Sequence, residues 1–430
     1  MLSPLDLRGA GFDVAARLPR PDPGGDEPVA AVREILAAVR DKGDVAVREL
    51  TLRYDGVDLD DLRIPADVCA AALTRIDAPL RDALHAAHDA IEAFHRAQVH
   101  RPEVFEHHGI RVESRLVPVD RAGCYVPGGR AVYPSTVLMT AVPARVAGVP
   151  HVVLAVPPDR ATGLPPDATL AAAAIAGVDE VYRIGGAQAV AALAYGTETV
   201  RPVDVIVGPG NVYVAIAKRE LAGEGRVGVP SAFAGPSEVV VVADGDSPVE
   251  LVAVDIVVQA EHGPGGLAWL VTWDEATLAA VTAEVDRLVA SSPRRRDLEA
   301  TLRTGGYAVL VDGPEQAMAV ANAIAPEHLE LMSAGAEALV PLVRHAGAVF
   351  CGPWSPASLG DYLAGPSHVL PTFGSARFGQ ALTIADFTKH VHVVTATADA
   401  IDRVGPHVVA LAEAEGLPAH ADSIRLRSRR

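Results

Sequence analysis

In the middle of the chain, apolar runs of strand length alternate with glycine turns and with Ala-rich stretches whose apolar residues recur at helical spacing. Two neighbouring units of this kind span 178–195 and 203–221, and similar units continue to residue 324. Strands that are apolar throughout are typical of parallel sheets, which helices cover on both faces. The pattern therefore predicts an α/β fold with mostly parallel sheets and with ligand sites at the carboxyl ends of the strands.

The two ends of the chain show a different pattern. Apolar positions recur at helical spacing over 29–54, with a break at Gly43, and again over 66–100, which predicts one long second helix. The polar segment 103–110 favours a loop, because acids and histidines dominate it. Near the other end, a short strand is predicted at 392–397 and a helix at 399–415, followed by a solvated basic tail.

Composition narrows the class of protein. A chain of 430 residues suggests two or three domains, and a formal net charge of −17 argues against nucleic acid or an anionic membrane as a partner. No apolar run approaches the roughly 18 residues of a membrane span, and the first residues lack the pattern of a signal peptide. These features favour a cytoplasmic enzyme that acts on a small metabolite.

The three cysteines are far apart and form no CxxC motif, which argues against a disulfide framework and against a zinc ribbon. A nucleophilic role for Cys124 is one alternative, but a small buried residue at the end of a strand is the favoured interpretation.

Four polar clusters interrupt the apolar second half, each next to Gly or Pro at the end of an element. Imidazole, carboxylate and one amide form a mixed nitrogen and oxygen donor set, for which Zn²⁺ is the first candidate, with Mn²⁺ or Co²⁺ as alternatives. An adjacent acid and imidazole also provide two proton-transfer groups. The clusters are Gln259 with His262, Glu327 with His328, Asp361 with His368, and Glu415 with His420.

The glycine turns are weaker evidence for a ligand site. Those at Gly185–Gly186 and Gly208–Asn211 place backbone N–H groups at helix starts, which favours anionic ligands. Neither turn matches GxGxxG, so spacing alone does not predict a dinucleotide site.

Taken together, the motifs resemble those of the histidinol dehydrogenase family over nearly the whole chain. The matching segments are 125–149, 185–200, 207–219, 234–244, 259–263, 326–331, 360–372, 376–378 with 386–387, and 415–420. Two departures from the family pattern are Ser231, where an Asp is expected, and Gly379–Gln380, where a pair containing Ser is usual.

The resemblance implies a cytoplasmic enzyme with one Zn²⁺ per subunit that oxidises L-histidinol to L-histidine through L-histidinaldehyde, at the end of histidine biosynthesis. Two NAD⁺ are consumed per turnover. The implied metal ligands are Gln259, His262, Asp361 and His420. The implied acid/base pair is Glu327 and His328. Substrate contacts are implied at Ser237, Gln259, His262, His328, Asp361, His368, Glu415 and His420. NAD contacts are implied at Tyr125, Gln188 and Asn211.

The family resemblance also implies an architecture of two related, incomplete Rossmann-like domains in a homodimer with a shared active site. The expected division is an N-terminal arm (1–24), a first domain (25–124 with 239–382), a second, NAD-contacting domain (125–238) and a C-terminal segment (383–430). That segment would carry Glu415 and His420 into the partner subunit's site.

Three other functions remain open on the sequence alone. The first is a paralogous zinc- and NAD-dependent dehydrogenase of another polar alcohol, such as a sulfonated diol, although Glu415 favours an amine substrate. The second is a zinc metallohydrolase in which Glu327 activates water and no NAD is used. The third is a metal-binding scaffold without catalysis.

Overall fold

The computed structural model describes residues 1–19, 27–99, 103–128, 131–230, 237–261, 263 and 265–428. Their contacts divide the chain into two compact units. The first unit comprises Met1–Ala97 with Asp120–Phe387, and the second comprises Gln98–Val119 with Thr388–Arg430.

Strands occur throughout the chain. In chain order they are β1 Ser3–Asp6, β2 Arg63–Ile64, β3 Glu103–His107, β4 Ile110–Pro118, β5 Arg121–Tyr125, β6 His151–Ala155, β7 Glu180–Tyr182, β8 Val205–Val207, β9 Glu238–Ala243, β10 Leu267–Thr272, β11 Gly306–Leu310, β12 His328–Leu331, β13 Ala348–Cys351 and β14 Thr388–Ala396.

Helices connect most of these strands, and within the described ranges none is long and apolar enough to cross a membrane. They are α1 Glu27–Lys42, α2 Asp44–Asp55, α3 Ala66–Arg75, α4 Ala78–Ala97, α5 Pro134–Val146, α6 Asp167–Ile175, α7 Gly186–Tyr195, α8 Val212–Gly223, α9 Val249–Ala260, α10 Glu275–Ser291, α11 Arg295–Gly305, α12 Pro314–Ile324, α13 Ala336–Leu339, α14 Ala357–Tyr362, α15 Ala398–Ala414 and α16 Pro418–Ser428. Short 3-10 turns occur at Ala15–Arg17, Val340–Leu342, Ser375–Arg377 and Ile384–Phe387.

The larger sheet has the strand order β1-β11-β10-β9-β12-β13, and every neighbouring pair is parallel. Alternate residues of β9 face opposite sides: Val240 and Val242 join one apolar cluster, and Val239 and Val241 join another. Both faces are therefore covered, and each fully buried valine contributes about 1.5–3 kcal/mol of transfer free energy. The predicted α/β fold with mostly parallel sheets is confirmed.

The second sheet of the first unit has the order β2-β7-β6-β5-β8 and is parallel except for the short edge strand β2. The tandem units predicted at 178–195 and 203–221 supply β7 with α7 and β8 with α8. Helices α1, α7 and α8 pack together beside this sheet.

The expected division into domains, which groups 25–124 with 239–382, stays a prediction. Helices α1 and α2 contact α7, α3 contacts α6, and α4 contacts α5 and α6; α5, α6 and α7 connect strands of the five-stranded sheet. Strand β1, expected in an N-terminal arm, pairs with β11 in the larger sheet. The hydrophobic face of a helix shows that the helix is buried but not which sheet it covers.

Two predicted elements were wrong. The helix expected over 66–100 is two helices, because Ile76 takes an extended conformation and the Asp77 carboxylate accepts the Leu80 N–H at the start of α4. The loop expected at 103–110 is the hairpin β3–β4, whose turn residues His108 and Gly109 both have positive φ (53° and 79°). Positive φ at both central residues is the signature of a two-residue hairpin turn.

The second unit, taken by itself, contains the antiparallel sheet β14-β4-β3 and the packed pair α15 and α16. Helix α16 occupies the region expected to lie past the last helix, and it includes the start of the predicted basic tail.

Candidate active site

Glu327 and His328 lie at the amino end of β12, beside the amino end of β9, where His328 is in register with Val239. Both side chains are buried. Ligand sites are expected at the carboxyl ends of strands, but this pair lies at the opposite end, because it belongs to the turn that enters β12 and not to a turn that leaves a strand.

The Glu327 carboxylate is held by two donors from the adjacent chain segment. Its Oε2 accepts the Ser237 hydroxyl at 2.5 Å and the Glu238 backbone N–H at 3.0 Å. Burial raises the pKa of Glu327 to about 8, although both hydrogen bonds oppose that rise. The group therefore changes charge close to neutral pH, as a general acid or base requires. Ser237, predicted to contact substrate, contacts Glu327 directly.

Hydrogen bonding assigns the tautomer of His328. Its Nδ1 lies 3.3 Å from the Glu238 carbonyl oxygen, which can only accept, so Nδ1 carries the proton. The Nε2 lone pair then faces Asp361, whose Oδ1 is 3.8 Å away. Burial lowers the pKa of His328 against the opposing effect of Asp361, so the ring is a neutral base at Nε2.

Asp361 lies near the end of α14 and has a largely buried side chain. Burial raises its pKa to about 6, the His328 ring lowers it, and Glu327 raises it further. A cation bound at this carboxylate would offset the loss of hydration that burial imposes.

His368, predicted to contact substrate, has both ring nitrogens engaged by protein groups. Its Nδ1 donates to the Asp361 carbonyl oxygen at 3.0 Å, and its Nε2 accepts the Thr136 hydroxyl at 3.1 Å. The ring therefore links the segment that carries Asp361 to the first turn of α5.

Gln259 lies in the last turn of α9 and is 3% exposed. The carboxyl end of a helix carries partial negative charge, which favours a cation there. His262, predicted to be its neighbouring ligand, lies outside the described residues, as does the departure at Ser231. Within the part of the chain that the structure describes, no group of three or more His, Cys, Asp or Glu side chains is arranged around a common metal position.

The donor chemistry nevertheless fits a cation. Gln259 offers an amide oxygen at a negatively polarised helix end, and Asp361 offers a buried carboxylate. The other two predicted ligands are His262, already noted as undescribed, and His420, which belongs to the second unit. Glu415 and His420 are exposed, at the end of α15 and on α16 respectively.

The three predicted NAD-contacting residues lie at the carboxyl edge of the five-stranded sheet. Tyr125 ends β5 and its hydroxyl accepts the Gly186 N–H at 3.1 Å, while buried Gln188 lies in the first turn of α7. Asn211 is exposed and caps α8 by accepting the Val214 N–H. Each residue belongs to a different strand-to-helix turn, so this edge brings the three turns together.

Sequence reasoning missed Lys218, which is 2% exposed on α8. Its ammonium group donates to the Gly208 carbonyl and lies 6.0 Å from the centre of the Tyr125 ring. Burial lowers its pKa to about 7. The sequence does contain a signal, because Lys218 falls four residues after buried Val214 and three before buried Leu221, on the apolar face of the helix.

The structure favours the interpretation of Cys124 as a small buried residue at the end of a strand. It is fully buried in β5, and burial raises the pKa of its thiol to about 12, so the reactive thiolate is scarce at neutral pH.

The chain is similar to known proteins over nearly its whole length. A family model described as histidinol dehydrogenase matches residues 19–428. A histidinol dehydrogenase from Synechococcus sp. is 49% identical over 401 residues, which cover 93% of this chain and 92% of that protein. A protein named histidinol dehydrogenase 2 from Nostoc sp. is 47% identical over 426 residues, covering 96% and 97% respectively.

A solved structure gives the same result. The crystal structure of histidinol dehydrogenase from Elizabethkingia anophelis superposes with a TM-score of 0.94 at 32% sequence identity, covering 100% of this chain and 98% of that one.

Proposed function

The chain belongs to the histidinol dehydrogenase family, and from that premise we propose how its residues perform the reaction. The enzyme oxidises L-histidinol to L-histidine through L-histidinaldehyde in two NAD-dependent steps, at the end of histidine biosynthesis. One observation carries the assignment of roles: a neutral His328 with its Nε2 lone pair directed toward Asp361, next to a carboxyl group whose pKa is about 8.

In the first oxidation, His328 removes the proton of the substrate hydroxyl at Nε2. Its Nδ1–H remains bonded to the Glu238 carbonyl, so the ring keeps its orientation when it becomes positively charged. Asp361, 3.8 Å from Nε2, stabilises that charge. NAD⁺, held by Tyr125, Gln188 and Asn211, would supply the acceptor for the hydride of the carbinol carbon.

In the second oxidation, Glu327 takes a proton from water as that water adds to the aldehyde carbon. The Ser237 hydroxyl and the Glu238 N–H fix the carboxylate and favour its ionised form. As water adds, His328 returns its first proton to the aldehyde oxygen, which completes the hydrated aldehyde and leaves the ring neutral. His328 then accepts the proton of the hydrated aldehyde as the second hydride leaves. Positioned proton transfer of this kind contributes about 10²–10⁴ in rate.

We propose one Zn²⁺ per subunit, held by Gln259, His262, Asp361 and His420. Its supporting features are the negatively polarised end of α9 and the buried Asp361 carboxylate. Such a metal would mainly orient the substrate, by binding the amino and imidazole nitrogens of histidinol.

Further parts of the proposal concern substrate and partners. We assign substrate contacts to Ser237, Gln259, His262, His328, Asp361, Glu415 and His420. His368, both of whose ring nitrogens bind protein groups, is placed as a support of Asp361. Tyr125, Gln188 and Asn211 are assigned to NAD. We further propose a cytoplasmic homodimer in which Glu415 and His420 complete the partner's site.

The direct test is NADH formation, followed at 340 nm, from purified protein with L-histidinol. We expect about two NADH for each L-histidine formed, as two successive hydride transfers require. Turnover of a sulfonated diol but not of histidinol would favour the paralogous dehydrogenase. Hydrolysis without NADH would favour a metallohydrolase, and unchanged biological activity of Glu327→Gln and His328→Ala would favour a non-catalytic scaffold.

A further inference from the structure

A second pair of acidic side chains lies next to the proposed catalytic centre. Glu330 is in β12, two residues after His328, so the two side chains project from the same face of the strand. Asp255 is in α9, one turn before Gln259 and on the same side of that helix. Neither acid has a role in the proton transfers described above.

Glu330 connects the strand to two helices. Its Oε1 accepts the backbone N–H of Ala357 at 2.8 Å, at the first residue of α14, and Asp361 follows one turn later. The side chain of Asp255 lies within hydrogen-bonding reach of Glu330, whose buried Oε2 has no donor among the described residues. The residues beside Glu330 in the neighbouring strands, Val241 and Phe350, are apolar.

A hydrogen bond between the two carboxyl groups requires a proton, because two carboxylates can only accept. Glu330 is 1% exposed, and burial, together with the charge of Asp255, raises its pKa above the ordinary range. Burial also raises the pKa of Asp255. Two carboxyl groups this close among apolar residues favour one shared proton.

We infer that Asp255 and Glu330 are positioning residues, a proton-sharing pair that holds Gln259 and Asp361 in place for the metal. Through one hydrogen-bonded pair, β12 is connected to the helix that carries Gln259 and to the helix that carries Asp361. The inference rests on the metal site of the proposed function. It extends that site with two residues that touch neither metal nor substrate.

The test measures Zn²⁺ affinity rather than turnover. Purified chain is stripped of metal with a chelator and titrated with Zn²⁺ against a chromophoric competitor. Glu330→Leu removes the acceptor for Ala357 and the partner of Asp255, and we expect its dissociation constant for Zn²⁺ to rise about 10–100-fold, as for other residues that orient metal ligands.

Conservative variants separate positioning from simple space filling. Glu330→Gln keeps an oxygen for Ala357 and supplies N–H donors to Asp255, and Asp255→Asn does the reverse, so both should keep near wild-type affinity. Glu250→Gln, which removes an exposed acid from the same helix α9, is the matched control and should leave affinity unchanged.

The outcomes distinguish the inference from its premise. If wild-type chain and Glu250→Gln bind no Zn²⁺, the proposed metal site fails. If they bind Zn²⁺ and Glu330→Leu, shown to be folded by thermal unfolding, binds it equally well, the positioning role is overturned. Should Glu330→Leu fail to fold, Asp255→Leu decides, because it removes only the partner of Glu330: a loss of affinity of about 10–100-fold supports the role, and wild-type affinity overturns it.

Discussion

At the scale of single residues, the catalytic pair shows how position fixes protonation. Glu327 and His328 are adjacent and both are buried, yet burial raises the pKa of the carboxyl group and lowers that of the imidazole. Both shifts favour the neutral form. The Glu238 backbone adds the specific part, because its N–H bonds the carboxylate and its carbonyl accepts from the ring. One residue of β9 thus orients both groups.

Glu327→Gln should separate the two oxidations. The amide keeps an oxygen for Ser237 but cannot take a proton from water. We expect conversion of the aldehyde to the acid to slow by about 10²–10⁴-fold, while oxidation of the alcohol slows much less. Single-turnover NADH formation from L-histidinol and from L-histidinaldehyde would measure this difference. Equal losses in both steps would contradict the assigned role.

Lys218 makes a pH-dependent contribution to stability. Its pKa falls from 10.5 when unfolded to about 7 when folded. Between these values the unfolded chain binds the proton and the folded chain does not, so wild-type stability rises with pH across this window. Below about pH 7 that contribution is lost, because the folded protein must then bury a charged ammonium group.

Lys218→Met removes this titration. We expect the melting temperature of wild type relative to the variant to increase as pH rises from about 7 to 10.5, the interval between the two pKa values. Lys42→Met, at an exposed lysine of α1, serves as the control and should track wild type at every pH. A constant difference between Lys218→Met and wild type would show that burial does not shift this lysine.

At the scale of elements, the turn between β8 and α8 depends on a backbone conformation that only glycine adopts easily. Gly208 has φ of +103°, and a Cβ there would lie 2.0 Å from the Tyr125 carbonyl oxygen. Tyr125 is the last residue of β5, so the turn between β8 and α8 packs directly against the end of that strand. Lys218 adds a hydrogen bond to the Gly208 carbonyl.

Gly208→Ala should therefore destabilise the protein and weaken NAD binding. The backbone conformation alone costs about 1–3 kcal/mol, and the contact with Tyr125 adds to it. Gly223→Ala, at the other end of α8 with no atom within 4 Å of the added Cβ, should be neutral or slightly stabilising. Denaturant unfolding and the Michaelis constant for NAD would measure both effects. A Gly208→Ala enzyme as stable as Gly223→Ala would argue against the strain.

The sequence predicted most of these elements because their periodicity is local. It did not reveal the break at Ile76–Asp77, where a capping aspartate and a proline two residues later end one helix and begin another. The turn at His108–Gly109 is hidden for a similar reason, because polar residues are as typical of a loop as of a hairpin, and Gly109 alone carries the turn chemistry there.

The candidate site was predictable only in part. Adjacency and resemblance identified Glu327 and His328. Asp255 and Glu330 are 75 positions apart in the chain and on unlike elements, so their pairing is a product of tertiary packing. The amino-edge location of the catalytic pair likewise follows from strand order, which no local pattern specifies.

At the scale of the whole molecule, the proposed site draws on residues spread along most of the chain. Glu327, His328 and Asp361 belong to the first unit, whereas Glu415 and His420 are exposed in the second. If Glu415 and His420 bind substrate and metal, another protein surface must supply the rest of the site. In a homodimer with a shared site, the partner subunit supplies it.

Mixing two inactive variants tests this arrangement. In a dimer of His420→Ala with Glu327→Gln, one site would have both native residues and the other would have neither. After random subunit exchange half the dimers are mixed, so activity should return to about one quarter of wild type. If His420 acts within its own subunit, no activity returns. Differently tagged subunits would confirm that exchange has occurred.

The pairing of β1 with β11 has a consequence for biosynthesis. Ser3 pairs with Tyr307, so β1 must wait for about 300 further residues, or about 15–60 s at translation rates of about 5–20 residues per second. The five-stranded sheet, which ends with β8 at Val207, can form in the meantime. We therefore expect the five-stranded sheet to fold before the larger sheet, leaving β1 accessible to chaperones on the ribosome until β11 is available to pair with it.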